Sequence, residues 1–453
     1  MTTTPAVART GAPLTEAERT NLRRAKWGGL VGTALEQYDF VIYGTASALV
    51  FNTVFFPQVS PAVGYLGSFG AYAVGFFARP LGGLFFSRFG DRLGRKCVLV
   101  ATLYLMGTAT LLIGALPTYD QAGILAPALL VLLRCLQGFG AGAEMAGGSV
   151  LLTETAPLGK RGRIGSLVWV GASAGTALGA VVWLVVQALF PAEALLTWGW
   201  RVVFFSSLLV TIAAYVMRRK LHDSAVFTET REQREAVSTA AEKPLSPIAD
   251  VWRNGRRNVW RVFLLVAGVS VNSYTYQVFM GSYLVSQVGV DKWVFTRALL
   301  IGAVCGMGGA YFFGWLADKL GRRPAYSSCA TVMILLPVPA FLMLDTGDPW
   351  LITLVIVLGF VFAAEGSVGA QTAFLAELFG SRYRYAGVTL GRELASVVGG
   401  AGPLVFSALL TWAAGSWVPV AAGMMLVMAI SLVTTLRAPE TRDRDLYTAA
   451  DAA

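Results

Sequence analysis

GDRLGRK at Gly90–Lys96 and GWLADKLGRR at Gly314–Arg323 carry one short phrase twice: an Asp, a basic residue, then a Gly-Arg turn and a further basic residue, each time closing an apolar stretch. Asp91 and Asp318 stand 227 residues apart. A second pair of marks keeps nearly the same offset. Glu154 precedes Arg161 by seven residues, Glu377 precedes Arg384 by seven, and the two sets are displaced by 223. The chain of 453 residues therefore divides into two similar halves. Parallel repeats of membrane helices, related by an axis along the membrane normal, are what a two-bundle transporter is built from.

Composition agrees. The chain is 55% hydrophobic and 14% charged, whereas soluble domains carry about 25% charged residues, and about 20 apolar residues mark one bilayer span. Apolar runs between charge clusters predict spans at 28–52, 62–87, 97–116, 122–153, 164–190 and 199–217, then 260–288, 293–316, 324–344, 349–379, 385–413 and 415–436. Most of the 36 Lys and Arg fall in the segment before the first span, in every second connection and in the tail. Positive charge favours the cytoplasmic side. Twelve spans with both termini inside are expected: 1–27 a cytoplasmic leader, 28–217 and 259–437 two six-helix bundles, 218–258 a cytoplasmic connection and 438–453 a cytoplasmic tail. Within the connection, Ser224–Ala241 reads as either an amphipathic surface helix or a flexible linker.

Several function classes drop out. The net charge of +10 lies between apolar segments and not on a soluble basic face, so nucleic acid is not an expected partner. The four cysteines form no CxxC pair, and no P-loop, metal-ligand cluster or nucleophile–base set is present. Neither an enzyme, a cofactor nor an ATP-driven pump is expected. The expected partners are a small-molecule substrate, protons and the lipid bilayer, with the chain acting as a monomer.

The Asp-basic-x-Gly-Arg-basic turn after spans 2 and 8 resembles the signature of the major facilitator superfamily, and Arg134, Gln137, Gly138 and Gly140 in span 4 resemble a second superfamily motif. LEQYDFVIYG (Leu35–Gly44), FFP (Phe55–Pro57), GFFARPLGG (Gly75–Gly83), LPTYDQAGILAPALLVLLRCLQGFGAGAE (Leu116–Glu144), WGWR (Trp198–Arg201), LHDSAVF (Leu221–Phe227) and APET (Ala438–Thr441) resemble the metabolite:proton symporter family, which contains shikimate, dicarboxylate and osmolyte carriers. The resemblance implies proton-coupled uptake of a small polar organic metabolite, a carboxylate first among them, by alternating access in a bacterial inner membrane. The same fold also serves facilitators and exporters. Gln37 and Met145 stand where the family usually has Trp, and Ser87 replaces the Gly that opens the loop motif.

Within the spans, polar residues name the candidate site. Glu36 and Asp39 are three residues apart and share one helix face; a carboxylate at bilayer depth faces a cavity by default and is the candidate proton carrier, Asp39 ahead of Glu36. Arg134 is the candidate tuner of a carboxylate, Asp39 or Glu144. Arg79, Tyr38, Gln37, Asn272, Tyr276, Gln277 and Glu365 are candidate substrate contacts, with Tyr274 and Gln371 nearby. Asp91, Arg92, Arg95 and Lys96, with Asp318, Lys319, Arg322 and Arg323, are candidate gating charges, joined by Glu154 with Arg161 and Glu377 with Arg384. Gly171, Gly175 and Gly179, spaced by four, predict close helix packing. The single histidine, His222, lies outside the spans, so a histidine proton relay in the membrane is not available.

Overall fold

A computed structural model describes residues 16–93, 95–142, 145–220, 251–253, 255–381, 384–446, 448 and 450–452. Among them all regular structure is helical. The first half contains α1 (Glu16–Leu49), α2 (Pro61–Leu93), α3 (Arg95–Gly114), α4 (Leu125–Ala141), α5 (Met145–Thr155), α6 (Arg161–Leu189) and α7 (Ala192–Ala213). The second contains α8 (Arg256–Val288), α9 (Lys292–Leu320), α10 (Arg322–Leu335), α11 (Pro337–Leu344), α12 (Pro349–Glu377), α13 (Arg384–Trp412) and α14 (Val418–Arg437). The surface helix or linker anticipated at Ser224–Ala241 lies outside the described residues.

Eight of these helices are long and apolar enough to cross a bilayer: α2, α6, α7, α8, α9, α12, α13 and α14. The others depart from a simple span for local reasons. α10 and α11 make one run bent by 46°, and the bend falls at Pro337, which has no N–H to donate and whose ring crowds the preceding turn. α3 and α4 have short apolar windows, Ala101–Gly114 and Leu125–Ala141. α1 is long, but Glu36, Gln37 and Asp39 interrupt its apolar run.

The outer surface is apolar. Leu209, Leu335, Leu426 and Trp412 are each more than 60% exposed, and apolar exposure on this scale is what a lipid environment covers.

In the first half α1 packs on α6, and α4 packs on both α2 and α3; in the second, α8 packs on α13 and α14, α9 on α12, and α10 on α14. Two pairs, α6 with α9 and α2 with α13, make the main contact between the halves. The glycine stripe of α6 sets its distance from α1. A Cβ on Gly171 would lie 2.0 Å from the Leu30 carbonyl oxygen, and one on Gly175 2.1 Å from that of Ala34. Without a hydrophobic drive between helices in lipid, such close backbone approach is the source of their adhesion. Gly175→Ala is therefore expected to force α1 and α6 apart at a cost of about 1–3 kcal/mol, read as a lower midpoint of thermal unfolding in detergent; an unchanged midpoint would contradict the packing.

Candidate functional site

Three charged side chains meet inside the apolar interior. Arg79 of α2 is fully buried; its Nε donates to Glu393 Oε2 of α13 at 3.2 Å, and its Nη2 lies 3.7 Å from Glu36 Oε1 of α1. One guanidinium thus carries two carboxylates, one from each half of the chain. Beside them, Arg392 stacks its guanidinium 4.8 Å from the Trp169 ring of α6. Buried charges persist only when paired or coordinated, and here the pairing spans the contact between halves.

Arg134 of α4 is equally buried but differently satisfied. Its Nη1 donates to Gln137 Oε1 at 2.6 Å, and the Gln137 amide donates in turn to Thr110 Oγ1 at 2.8 Å. Rings enclose the rest of the guanidinium: Tyr43 at 4.2 Å, Phe40 at 4.9 Å, Tyr72 at 5.1 Å and Phe76 at 5.8 Å from Cζ. Its Nε and Nη2 make no hydrogen bond. The sequence reading assigns Arg134 a carboxylate partner in Asp39 or Glu144, but among the described residues it forms no ion pair. An aromatic box on α1 and α2 surrounds the guanidinium. Asp39 is buried on α1; Glu144 lies outside the described residues.

The other candidate contacts divide. Gln37 donates to Gln277 Oε1 at 3.4 Å, joining α1 to α8, and Gln277 donates to Ser273 at 2.7 Å. Tyr38 shares a hydrogen bond of 2.5 Å with Ser206. Asn272 is an interhelical tie: its amide donates to the backbone of Gly268 at 2.9 Å and of Met424 on α14 at 3.3 Å. Tyr276 lies against Gly359 of α12, its hydroxyl buried without a hydrogen bond. Tyr274 packs against Phe76 with the rings tilted by 59° and their centroids 4.9 Å apart, which brings α8 to the aromatic box. A cleft of about 380 Å³ at the far end of α2, α8 and α13 is lined by Tyr65, Ser282, Ser286, Gln287, Ser407 and Thr411.

At the opposite end the halves are locked. Arg322 is fully buried, donates to Glu377 through Nε and Nη2 at 2.9 Å each, and donates to Asp318 at 2.8 Å. Asp318 in turn accepts from the backbone N–H groups of Gly162 at 2.7 Å and Arg163 at 2.8 Å, capping the start of α6 in the other half. The repeated Glu and Arg residues exchange partners: Arg384 donates to Glu154 at 2.7 Å, and Arg161 lies 3.7 Å from Glu377. The sequence reading takes Glu154 with Arg161 and Glu377 with Arg384; the geometry crosses them between halves. The side chains of Asp91, Arg92, Arg95 and Lys96 lie outside the described residues. The tail adds a strap. Glu440 accepts from the backbone of Arg322 and Arg323 at 2.8 and 3.0 Å, Thr441 donates to Glu377, Arg161 donates to the Arg444 carbonyl at 2.6 Å, and Asp451 accepts from Gly380 and Asn258.

The Major Facilitator Superfamily profile matches residues 32–400. The chain belongs to the major facilitator superfamily. It is similar to the shikimate transporter of Escherichia coli (strain K12), 37% identical over 417 residues that cover 91% of this chain and 94% of that one. It is similar too to the proline/betaine transporter of the same organism, 30% identical over 452 residues covering 95% and 86% of the two chains. Among solved structures, the xylose transporter XylE from E. coli in a partially occluded inward-open conformation superposes with a TM-score of 0.70 at 18% identity, covering 94% of this chain and all of that one, and so shares the fold. Like other members of the superfamily, the chain is a multi-pass membrane transporter and not an enzyme. The resemblance to the metabolite:proton symporter group carries over to its relatives.

Two buried charges of the site are not among the sequence candidates. Arg392 and Glu393 sit in GRELASVV (Gly391–Val398), inside the predicted span 385–413. Their place in a helix that begins at Arg384 is the signal that marks them as interior.

Proposed function

We propose that this superfamily member is a proton-coupled symporter that takes up a small organic carboxylate. The observation that supports the substrate class is the open fork of Arg134. A buried guanidinium with Nε and Nη2 unfilled carries an unmet desolvation cost, and a carboxylate is the partner its planar donors match two at a time. The aromatic box provides the apolar walls typical of a ligand site with few polar anchors.

In this reading the eight long apolar helices, the bent α10–α11 pair, the short α3 and α4 runs and α1 are twelve spans, with 28–217 and 259–437 as two bundles and both termini cytoplasmic. The protein sits as a monomer in a bacterial inner membrane. The Arg322 end is then the cytoplasmic gate, closed here, and the cleft beside Tyr65 opens toward the outside. Substrate enters from that side to Arg134. Asp39 or Glu36 takes the coupling proton, and protonating Glu36 or Glu393 frees one partner of Arg79, loosening the only ion pair set deep between α2 and α13 among the described residues. The bundles then rock about the site.

The test is titration calorimetry on the purified protein with cyclic hydroxy acids, dicarboxylates, aromatic acids and betaines. A carboxylate is expected to bind while its methyl ester does not; an ester that binds as well as its acid would overturn the substrate class.

A further inference from the structure

Glu365 follows the π-helical turn Gly359–Ala364 of α12 and is 3% exposed. Such turns widen a helix locally and recur at functional positions. Its Oε2 makes no hydrogen bond, and among the described residues no Lys or Arg pairs with it. This separates it from Glu36, Glu377 and Glu393, each of which lies beside a guanidinium.

Its surroundings place it at the seam between halves. A Cβ on Gly306 of α9 would stand 2.9 Å from Glu365 Cγ and 3.2 Å from Ser173 Oγ of α6, so the glycine makes room for both groups. The Ser173 hydroxyl is itself fully buried without a hydrogen bond. The titratable groups on the helices around the π-turn are Tyr274, Tyr276 and Tyr283 of α8, of which Tyr276 lies against Gly359, Cys305 and Tyr311 of α9, and Tyr326 and Cys329 of α10, of which Cys329 lies beside Ser367. The charged residues of these helices stand toward their ends: Arg161 and Arg163 on α6, Arg256, Arg257 and Arg261 on α8, Lys292, Arg297, Asp318 and Lys319 on α9, and Arg322 and Arg323 on α10. Glu377, on its own helix, is about 18 Å away along the axis. A buried carboxylate that no cation pairs is costly in such an apolar interior, whereas the neutral acid is tolerated.

We infer that Glu365 is a second proton-carrying carboxyl, distinct from the α1 pair, that holds its proton while α6 and α9 are closed over it and gives it up to water when that seam opens. The inference rests on the symport reading above and extends it. Opening the gate hydrates the seam, so proton release would be tied to the same movement that frees the substrate.

Infrared spectroscopy of the purified full chain, with H/D exchange to identify carboxyl C=O stretches, tests it without a known substrate. The wild type is expected to show a neutral-carboxyl band at neutral pH that disappears in Glu365→Gln, persists in Glu36→Gln and Asp39→Asn, shifts but survives in Glu365→Asp, and converts to carboxylate absorption when the gate is opened by Arg322→Ala. A wild type without the band, or a band untouched by Glu365→Gln in monodisperse protein, overturns the assignment. A Glu365 band in a protein that moves no acid in response to a proton gradient would overturn the symport reading instead, and with it the transport role of this proton.

Discussion

Replacing Arg134 by Gln is expected to weaken binding of the transported acid by at least 30-fold, because a fully desolvated charge partner is worth about 2–5 kcal/mol to its ligand, and about 1.4 kcal/mol corresponds to a factor of ten. Arg134→Lys keeps the charge but not the planar fork, and should fall between Gln and wild type. A second readout separates a binding role from a structural one. The guanidinium is buried against rings and Gln137, and its Nε and Nη2 make no hydrogen bond. Removing an unmatched buried cation should leave the unfolding midpoint unchanged or raise it. A variant that loses affinity and stability together would indicate that Arg134 holds the helices, not the ligand.

Arg322→Ala should open the cytoplasmic gate. Arg322 neutralises Glu377 and Asp318 with three hydrogen bonds at 2.8–2.9 Å. Taking one partner from a buried network strands the others, at about 3–5 kcal/mol, a penalty that falls on the closed state because opening admits water to Glu377. A shift of that size changes the ratio of closed to open protein by roughly two to three and a half orders of magnitude. The check is maleimide labelling of Ser166→Cys, a buried position beside Gly314, in a background without the native cysteines. Labelling should be slow in the parent and fast with Arg322→Ala, and equal rates would mean that the network does not set the balance. The Glu154–Arg384 pair should matter less, since the Glu154 side chain is 42% exposed and exposed pairs contribute about 0–1 kcal/mol.

The parts of this arrangement legible in the sequence are those written as local pattern. Loop phrases repeated at a fixed offset, apolar runs and intramembrane charges such as Glu36, Arg79 and Arg134 each declare themselves within one segment. What a segment cannot declare is its partner. The seven-residue spacing of Glu154 with Arg161 and of Glu377 with Arg384 is the same whether each Glu serves its own Arg or its counterpart, and only the contact between halves shows the exchange. Arg134 shows the same limit, because its neighbours Phe40, Tyr43, Tyr72 and Phe76 read in sequence as ordinary apolar positions on two other helices. Glu393 stayed hidden for the same reason. It lies nine residues into α13, inside the predicted span, and nothing in its own segment names Arg79 of α2 as its partner. The 46° bend at Pro337 was equally masked, since the apolar run passes through it unbroken.

Proton-driven accumulation tests the symport reading most directly. Proteoliposomes holding the purified protein would be given the labelled carboxylate that calorimetry identifies, with and without an imposed inward proton gradient. Uptake above the equilibrium level is expected with the gradient and equilibration alone without it, with the excess lost when the gradient is collapsed. Equal uptake in both conditions would contradict proton coupling and make the protein a facilitator.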